Sequence, residues 1–223
     1  MNPIIPTLVR NDLHLNRWPM VLYLALGLIS LGMLTIEVPM VFYAGVTIML
    51  SVIIVAGVHM VMGTVTGERN DQILPFIMSL PLTFKQYTLA KVYSNLGVFL
   101  AFWVIILGGL MTVILTQPQI PDGLVVYGVI LLLEMLAVFC LVLAVGLISE
   151  SQSWTIVVIS ISNIGLSVFM FWVASFAGIK SHMNTEQVVW NQTAITFITA
   201  EVAVIVALLV ITFLVQSRKK DFI

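Results

Sequence analysis

Six stretches of this chain run for at least 19 residues with no more than one Asp, Glu, Lys or Arg in each: 18–36, 40–63, 97–115, 124–148, 154–179 and 194–215. At a rise of about 1.5 Å per residue, the shortest reaches about 28 Å, enough to cross the hydrocarbon core of a bilayer. A membrane β-barrel would need many alternating strands of about ten residues, and these runs do not alternate. The chain is therefore expected to be an all-α membrane protein, a single transmembrane domain over residues 1–223 with six spanning helices. Composition agrees: 61% of the residues are hydrophobic and 9% charged, against about 25% charged in an ordinary soluble domain.

Composition also removes whole classes of function. A net charge of −1 gives no basic footprint for nucleic acid. Cys140 is the single cysteine, which excludes internal disulfides and cysteine metal clusters. His14, His59 and His182 are too far apart in sequence to form a helical ligand pair, so no metal site is expected.

Positive charge sets the orientation. With both termini in the cytoplasm, Arg10, Arg17, Arg69, Lys85, Lys91, Arg218, Lys219 and Lys220 fall inside and only Lys180 outside. Short cytoplasmic segments retain Lys and Arg, so both ends are expected to be cytoplasmic. Trp18, Trp154 and Trp190 near span ends suit an interfacial aromatic belt.

The longest segment between spans, residues 64–96, is 33 residues long, and chains below about 40 residues rarely build a core of their own. The sequence holds no Gly-x-x-x-x-Gly-Lys-Ser/Thr phosphate loop. Any energy drawn from nucleotide must therefore come from another polypeptide.

Within that segment Ile73, Phe76, Ile77 and Leu80 stand at i, i+3, i+4 and i+7, one face of a helix. Pro75 suits the first turn of a short new helix, and Pro81 ends it. Residues 83–86, Thr-Phe-Lys-Gln, read as a capping box that starts the helix leading into the third span. The apolar ridge fits either contact with lipid or docking into a groove on a cytoplasmic partner, and the pattern alone allows both.

Glu68, Leu74, Ser79-Leu80-Pro81 and, ten residues on, Ala90-Lys91 resemble the signature of type-2 ABC exporter permeases. The departures are Gln72 and Ile73 in place of the usual Gly-Thr, and Pro75 where an acidic residue is common. The resemblance implies a cytoplasmic coupling helix between spans two and three that contacts a separate ATP-binding-cassette ATPase subunit. Carried over residue by residue, it assigns Glu68, Leu74, Ser79, Leu80, Pro81 and Lys91 to that contact, while Ile73, Phe76 and Ile77 are added from the apolar face. It further implies pairing with a second permease copy or a paralogue in a bacterial plasma (inner) membrane. ATP and Mg would then sit on the partner and no cofactor on this chain, which is expected not to be an enzyme itself.

In residues 7–17, Arg10, His14 and Arg17 share one helical face that suits anionic headgroups. Asp12 and Asn16 interrupt the opposite face. An N-terminal interfacial helix, of the kind the resemblance implies, and a plain topogenic tail both fit.

Two acidic residues stand inside spans, Glu134 in the fourth and Glu201 in the sixth. Intramembrane carboxylates are costly and point to function by default, although a hydrogen-bonded glutamate between packed helices is the competing reading. Ser160, Asn163 and Ser167 form a polar stripe on span five, suited either to helix–helix hydrogen bonds or to a wall of a substrate path. Glu134, Asn163 and Glu201 are the candidate path residues.

The function these features favour is a permease subunit that exports a lipid, peptide or amphipathic drug. The alternative is an ion-coupled secondary carrier that uses the glutamates. Such carriers often have helices broken by Gly or Pro, whereas the spans here are read as free of proline. An intramembrane protease is a distant third, because no histidine base and no His-Glu-x-x-His stands in the later spans.

Overall fold

The computed structural model describes residues 4–67 and 84–218. Its long helices are α1 (Ile4–Met33), α2 (Pro39–Val61), α3 (Phe84–Thr116), α4 (Leu124–Ser149), α5 (Gln152–Ser175) and α7 (Gln192–Arg218), with a four-residue α6 (Ala177–Lys180) between the last two. A π-helical turn, Met62–Thr66, continues α2. Six of these helices are long and apolar enough to cross a membrane, the build of a multi-pass membrane protein.

α4 is the central helix. It packs against α2, α3, α5 and α7, while α1 packs on α2 and α3. In the most apolar stretch of α4, 67% of the residues are buried, against 11% in α7. The centre is close-packed around Gly57. A Cβ there would lie 3.0 Å from Phe139 and 3.2 Å from Phe99, and those two rings stack at 3.9 Å with 11° between their planes. A side chain on α2 at this point would push the stacked pair apart.

The observed helices differ from the hydrophobic windows at several ends. Residues 7–17, read as an N-terminal interfacial helix or a topogenic tail, form the first part of one continuous α1, which runs from Ile4 to Met33. Pro19 lies inside it, which corrects the expectation of proline-free spans. Having no amide hydrogen, Pro19 leaves the Leu15 carbonyl without its usual helical donor. The described part of α3 begins at Phe84, well before the apolar window opens at 97, and Thr83 of the capping box lies outside the described residues. α5 stops at Ser175, because Phe176 turns extended (φ −68°, ψ 128°).

The loops 34–38 and 117–123 meet at one end of the bundle, where the Gln119 side-chain amide donates to Glu37 at 2.6 Å. The α6–α7 connection joins them there: the Gly123 amide donates to the Thr185 carbonyl at 2.9 Å. Asn191 caps α7 through its Oδ1, which accepts from the Ala194 amide at 2.9 Å, while its Nδ2 donates to the Gly178 carbonyl. The formal glycosylation sequon Asn191-Gln-Thr is therefore a helix cap whose side-chain amide is already engaged.

Candidate functional site

At the other end of the bundle a chain of buried polar groups ties three helices together. Asp12 on α1 is 3% exposed and Lys91 on α3 is 0% exposed. The Lys91 ammonium donates to both Asp12 oxygens, at 3.0 and 3.1 Å. Ser94 Oγ, one turn along α3, donates to Asp12 Oδ2 at 2.8 Å. The next residue, Asn95, donates through Nδ2 to the Lys91 carbonyl at 2.9 Å, and its Oδ1 accepts from Thr64 Oγ1 at 2.8 Å. Thr64 lies in the π-helical turn that ends α2, and π turns of this kind frequently mark functional sites.

The sequence dictates this cluster locally. Lys91, Ser94 and Asn95 stand at i, i+3 and i+4, so all three project from one face of α3. Asp12 and Asn16 are likewise one turn apart on α1, where the Asn16 side chain donates to the Asp12 carbonyl at 2.9 Å. Taking two charges out of water costs several kcal/mol per ion unless good geometry and further hydrogen bonds compensate. Two-oxygen contact from Lys91 plus the Ser94 hydroxyl meets that requirement. The pair holds α1 to α3, the helix that leaves residues 68–83, and the Thr64–Asn95 bond holds α3 to the π turn of α2 that enters them.

The structure changes the meaning of several predicted residues. Asp12 and Asn16, read from sequence as flaws in an amphipathic face, are the buried side of α1, and Arg10, His14 and Arg17 are exposed. Lys91 lies inside the bundle and holds α1 to α3. Glu68, Ile73, Leu74, Phe76, Ile77, Ser79, Leu80 and Pro81 lie outside the described residues.

Deeper in the bundle Glu201 is 5% exposed, and among the described residues neither of its carboxylate oxygens has a hydrogen-bond partner. Glu134 is half-buried. The two helices that carry them run in the same direction. Val126 and Ile130 of α4 share a cluster with Ala194 of α7, and near the far end Gln216 Nε2 donates to the Leu147 carbonyl. Counted back from that bond at about 1.5 Å per residue, Glu201 and Glu134 stand at depths within about 3 Å of each other.

The polar stripe of α5 splits. Ser160 and Ser167 are exposed and bond the carbonyls of Ile156 and Asn163 in their own helix. Asn163 instead lines an apolar cleft with Ile53, Phe99, Val138, Phe139 and Leu166. His59 is exposed and meets the edge of the Tyr23 ring, 5.7 Å between centroids. Sequence reasoning passed over Ser94, Asn95 and Thr64. The polar i, i+3, i+4 set on an otherwise apolar helix was the signal that could have found two of them.

Compared with protein-family models, curated proteins and solved structures, the chain matches none.

Proposed function

We propose that this chain is the membrane permease subunit of an ATP-binding-cassette exporter, moving an amphipathic substrate of the lipid, peptide or drug type outward. ATP and Mg bind on a separate subunit, which docks on residues 68–81. The observation that carries the reading is the Ala90-Lys91 pair, the end of the resembling motif. Both side chains are 0% exposed, and Lys91 fastens the start of α3 to α1.

That placement suggests how force travels. Residues 68–83 join the end of α2 to the start of α3, so a partner that pushes this segment pushes both helices at once. The Thr64–Asn95 bond holds α2 to α3, and the Asp12–Lys91–Ser94 contacts hold α3 to α1. The three helices then shift as one body against α4, α5 and α7, and the cleft between the groups opens or closes. Lys91 acts here as a transmitter, while Phe76, Ile77 and Leu80 make the docking contact. With six spans both termini and the docking segment share one face, and in this reading the distribution of Lys and Arg makes it the cytoplasmic face of a bacterial plasma membrane. A second copy, or a paralogue, completes the path.

The test is site-directed cross-linking. In a Cys140→Ser background, Phe76→Cys is expected to cross-link to the cassette subunit in membranes, and Trp172→Cys, on the exposed side of α5, is not. Equal yields from both positions would refute docking at residues 68–81.

A second reading, an ion-coupled carrier, draws support from the matched depth of Glu134 and Glu201. It requires transport driven by an ion gradient with no partner present.

A further inference from the structure

The loops 34–38 and 117–123 form the mouth of a cleft between α2, α3 and α4. Its deep part, a cavity of about 170 Å³, is lined by Val46, Met49 and Leu50 of α2, Leu110 and Ile114 of α3, and Leu131 of α4. The mouth, about 370 Å³, is lined by Glu37, Val38, Pro39, Gln119 and Pro121. Leu34, Phe42, Ile120 and Leu124 line both parts, so the two adjoin. Phe42, Val46, Leu50 and Leu124 are half-buried and so still reachable.

The chemistry changes along the cleft. The Tyr127 ring also lines the deep part, but its hydroxyl is engaged elsewhere, donating to the Met170 carbonyl at 3.0 Å. A buried water needs polar partners, whereas an apolar cavity of about 150 Å³ stays dry and accepts a benzene-sized hydrocarbon. The deep part is therefore a place for hydrocarbon. At the mouth, Glu37 Oε1 accepts from Gln119, and a carboxylate keeps acceptor capacity beyond one such bond. Among the described residues that line either part, Glu37 carries the only charge. That disfavours an anionic head and favours an ammonium. Length agrees as well. From Pro39, the first residue of α2, to Leu50 is about 16 Å along the helix, close to half of a hydrocarbon core about 30 Å thick. The apolar part thus ends where an acyl chain of one leaflet ends.

We propose that this cleft binds one membrane lipid of the phosphatidylethanolamine class. One acyl chain lies between α2, α3 and α4, and the ammonium of the head meets Glu37. The chain supplies the dispersion contacts that a void among the three helices would forfeit. This site stands apart from the exporter reading, since neither an ATPase nor residues 68–81 take part in it.

Two phospholipid probes test it. Both carry the same diazirine-bearing acyl chain, one with an ethanolamine head and one with a glycerol head. Each is present at trace level in phosphatidylcholine nanodiscs that hold the full chain, and the photolabelled residues are mapped by mass spectrometry. The ethanolamine probe should label Met49, Leu50 and Leu131 in preference to Val104 and Ile105, which are exposed on α3. It should exceed the glycerol probe in the cleft by about threefold, a modest preference because an exposed charge pair is worth little. Glu37→Gln should make the two probes equal. Val46→Trp, which fills the deep part, should lose most of the cleft labelling, and Val104→Trp should keep it. If Val46→Trp does not fold, the two probes on the wild type and on Glu37→Gln decide alone. Four results would overturn the proposal: label spread evenly over cleft and lipid-facing residues, as bulk lipid would give; equal labelling by the two heads; unchanged labelling in folded Val46→Trp; or no label in the cleft, as a second copy seated on it would give.

Discussion

The Lys91 ammonium of α3 sits 3.0 and 3.1 Å from the two carboxylate oxygens of Asp12 on α1, and the residues are 79 positions apart in sequence. Buried ion pairs are poor sources of net stability, because desolvation offsets most of the attraction, but breaking one half is expensive. This pair therefore ties α1 to α3.

Asp12→Ala or Lys91→Ala should lower stability by about 3–5 kcal/mol, because each leaves an uncompensated buried charge. The double variant Asp12→Leu/Lys91→Met should recover most of that loss, since apolar replacement of a whole buried pair is often neutral. Thermal unfolding in detergent measures both. If the pair transmits force, the double variant folds yet loses transport.

Gly57→Ala should destabilise the bundle by about 1–3 kcal/mol through overpacking. The added methyl group meets Phe139 at 3.0 Å and Phe99 at 3.2 Å, and the two rings are already stacked. Gly165→Ala, which meets nothing within 4 Å, is the control and should be neutral or slightly stabilising. The same unfolding assay compares them.

Asn191→Ala removes the cap of α7 and should cost about 1 kcal/mol, with Asn191→Asp retaining most of it. A loss that equals or exceeds the Asn191→Ala loss in the Asp variant would shift the importance to the Nδ2–Gly178 bond.

The six helices were legible in the sequence because an apolar run of sufficient length has few other uses. What hydropathy does not tell is which face of a spanning helix looks inward, since lipid and bundle core are equally apolar. In α1 the inward face is marked by polarity: Asp12 and Asn16 are buried, while Leu15 is 64% exposed. A rule that expects apolar residues inside reads that face backwards. Lys91 was visible as a motif residue, but its partner lies on another helix, beyond the reach of any local spacing rule. Glu134 and Glu201 were each conspicuous alone, and their common depth follows only from the parallel packing of α4 and α7. The described part of α3 already extends far ahead of its apolar window, and Lys91, Ser94 and Asn95 occupy the turns between.

The central claim is that a separate ATPase drives this chain through residues 68–81. Its most direct test is ATP hydrolysis by the purified chain alone and by the complex with the cassette subunit that accompanies it in its own membranes. We predict no hydrolysis by the chain alone. Hydrolysis by the complex should couple to transport, and Phe76→Ala or Ile77→Ala should weaken association or coupling several-fold, because a docked aromatic or aliphatic anchor is worth more than about 1 kcal/mol. Met78→Ala, on the flank of the same ridge, should behave as wild type. Hydrolysis by the chain alone, or a complex in which all three variants match the wild type, would contradict the account.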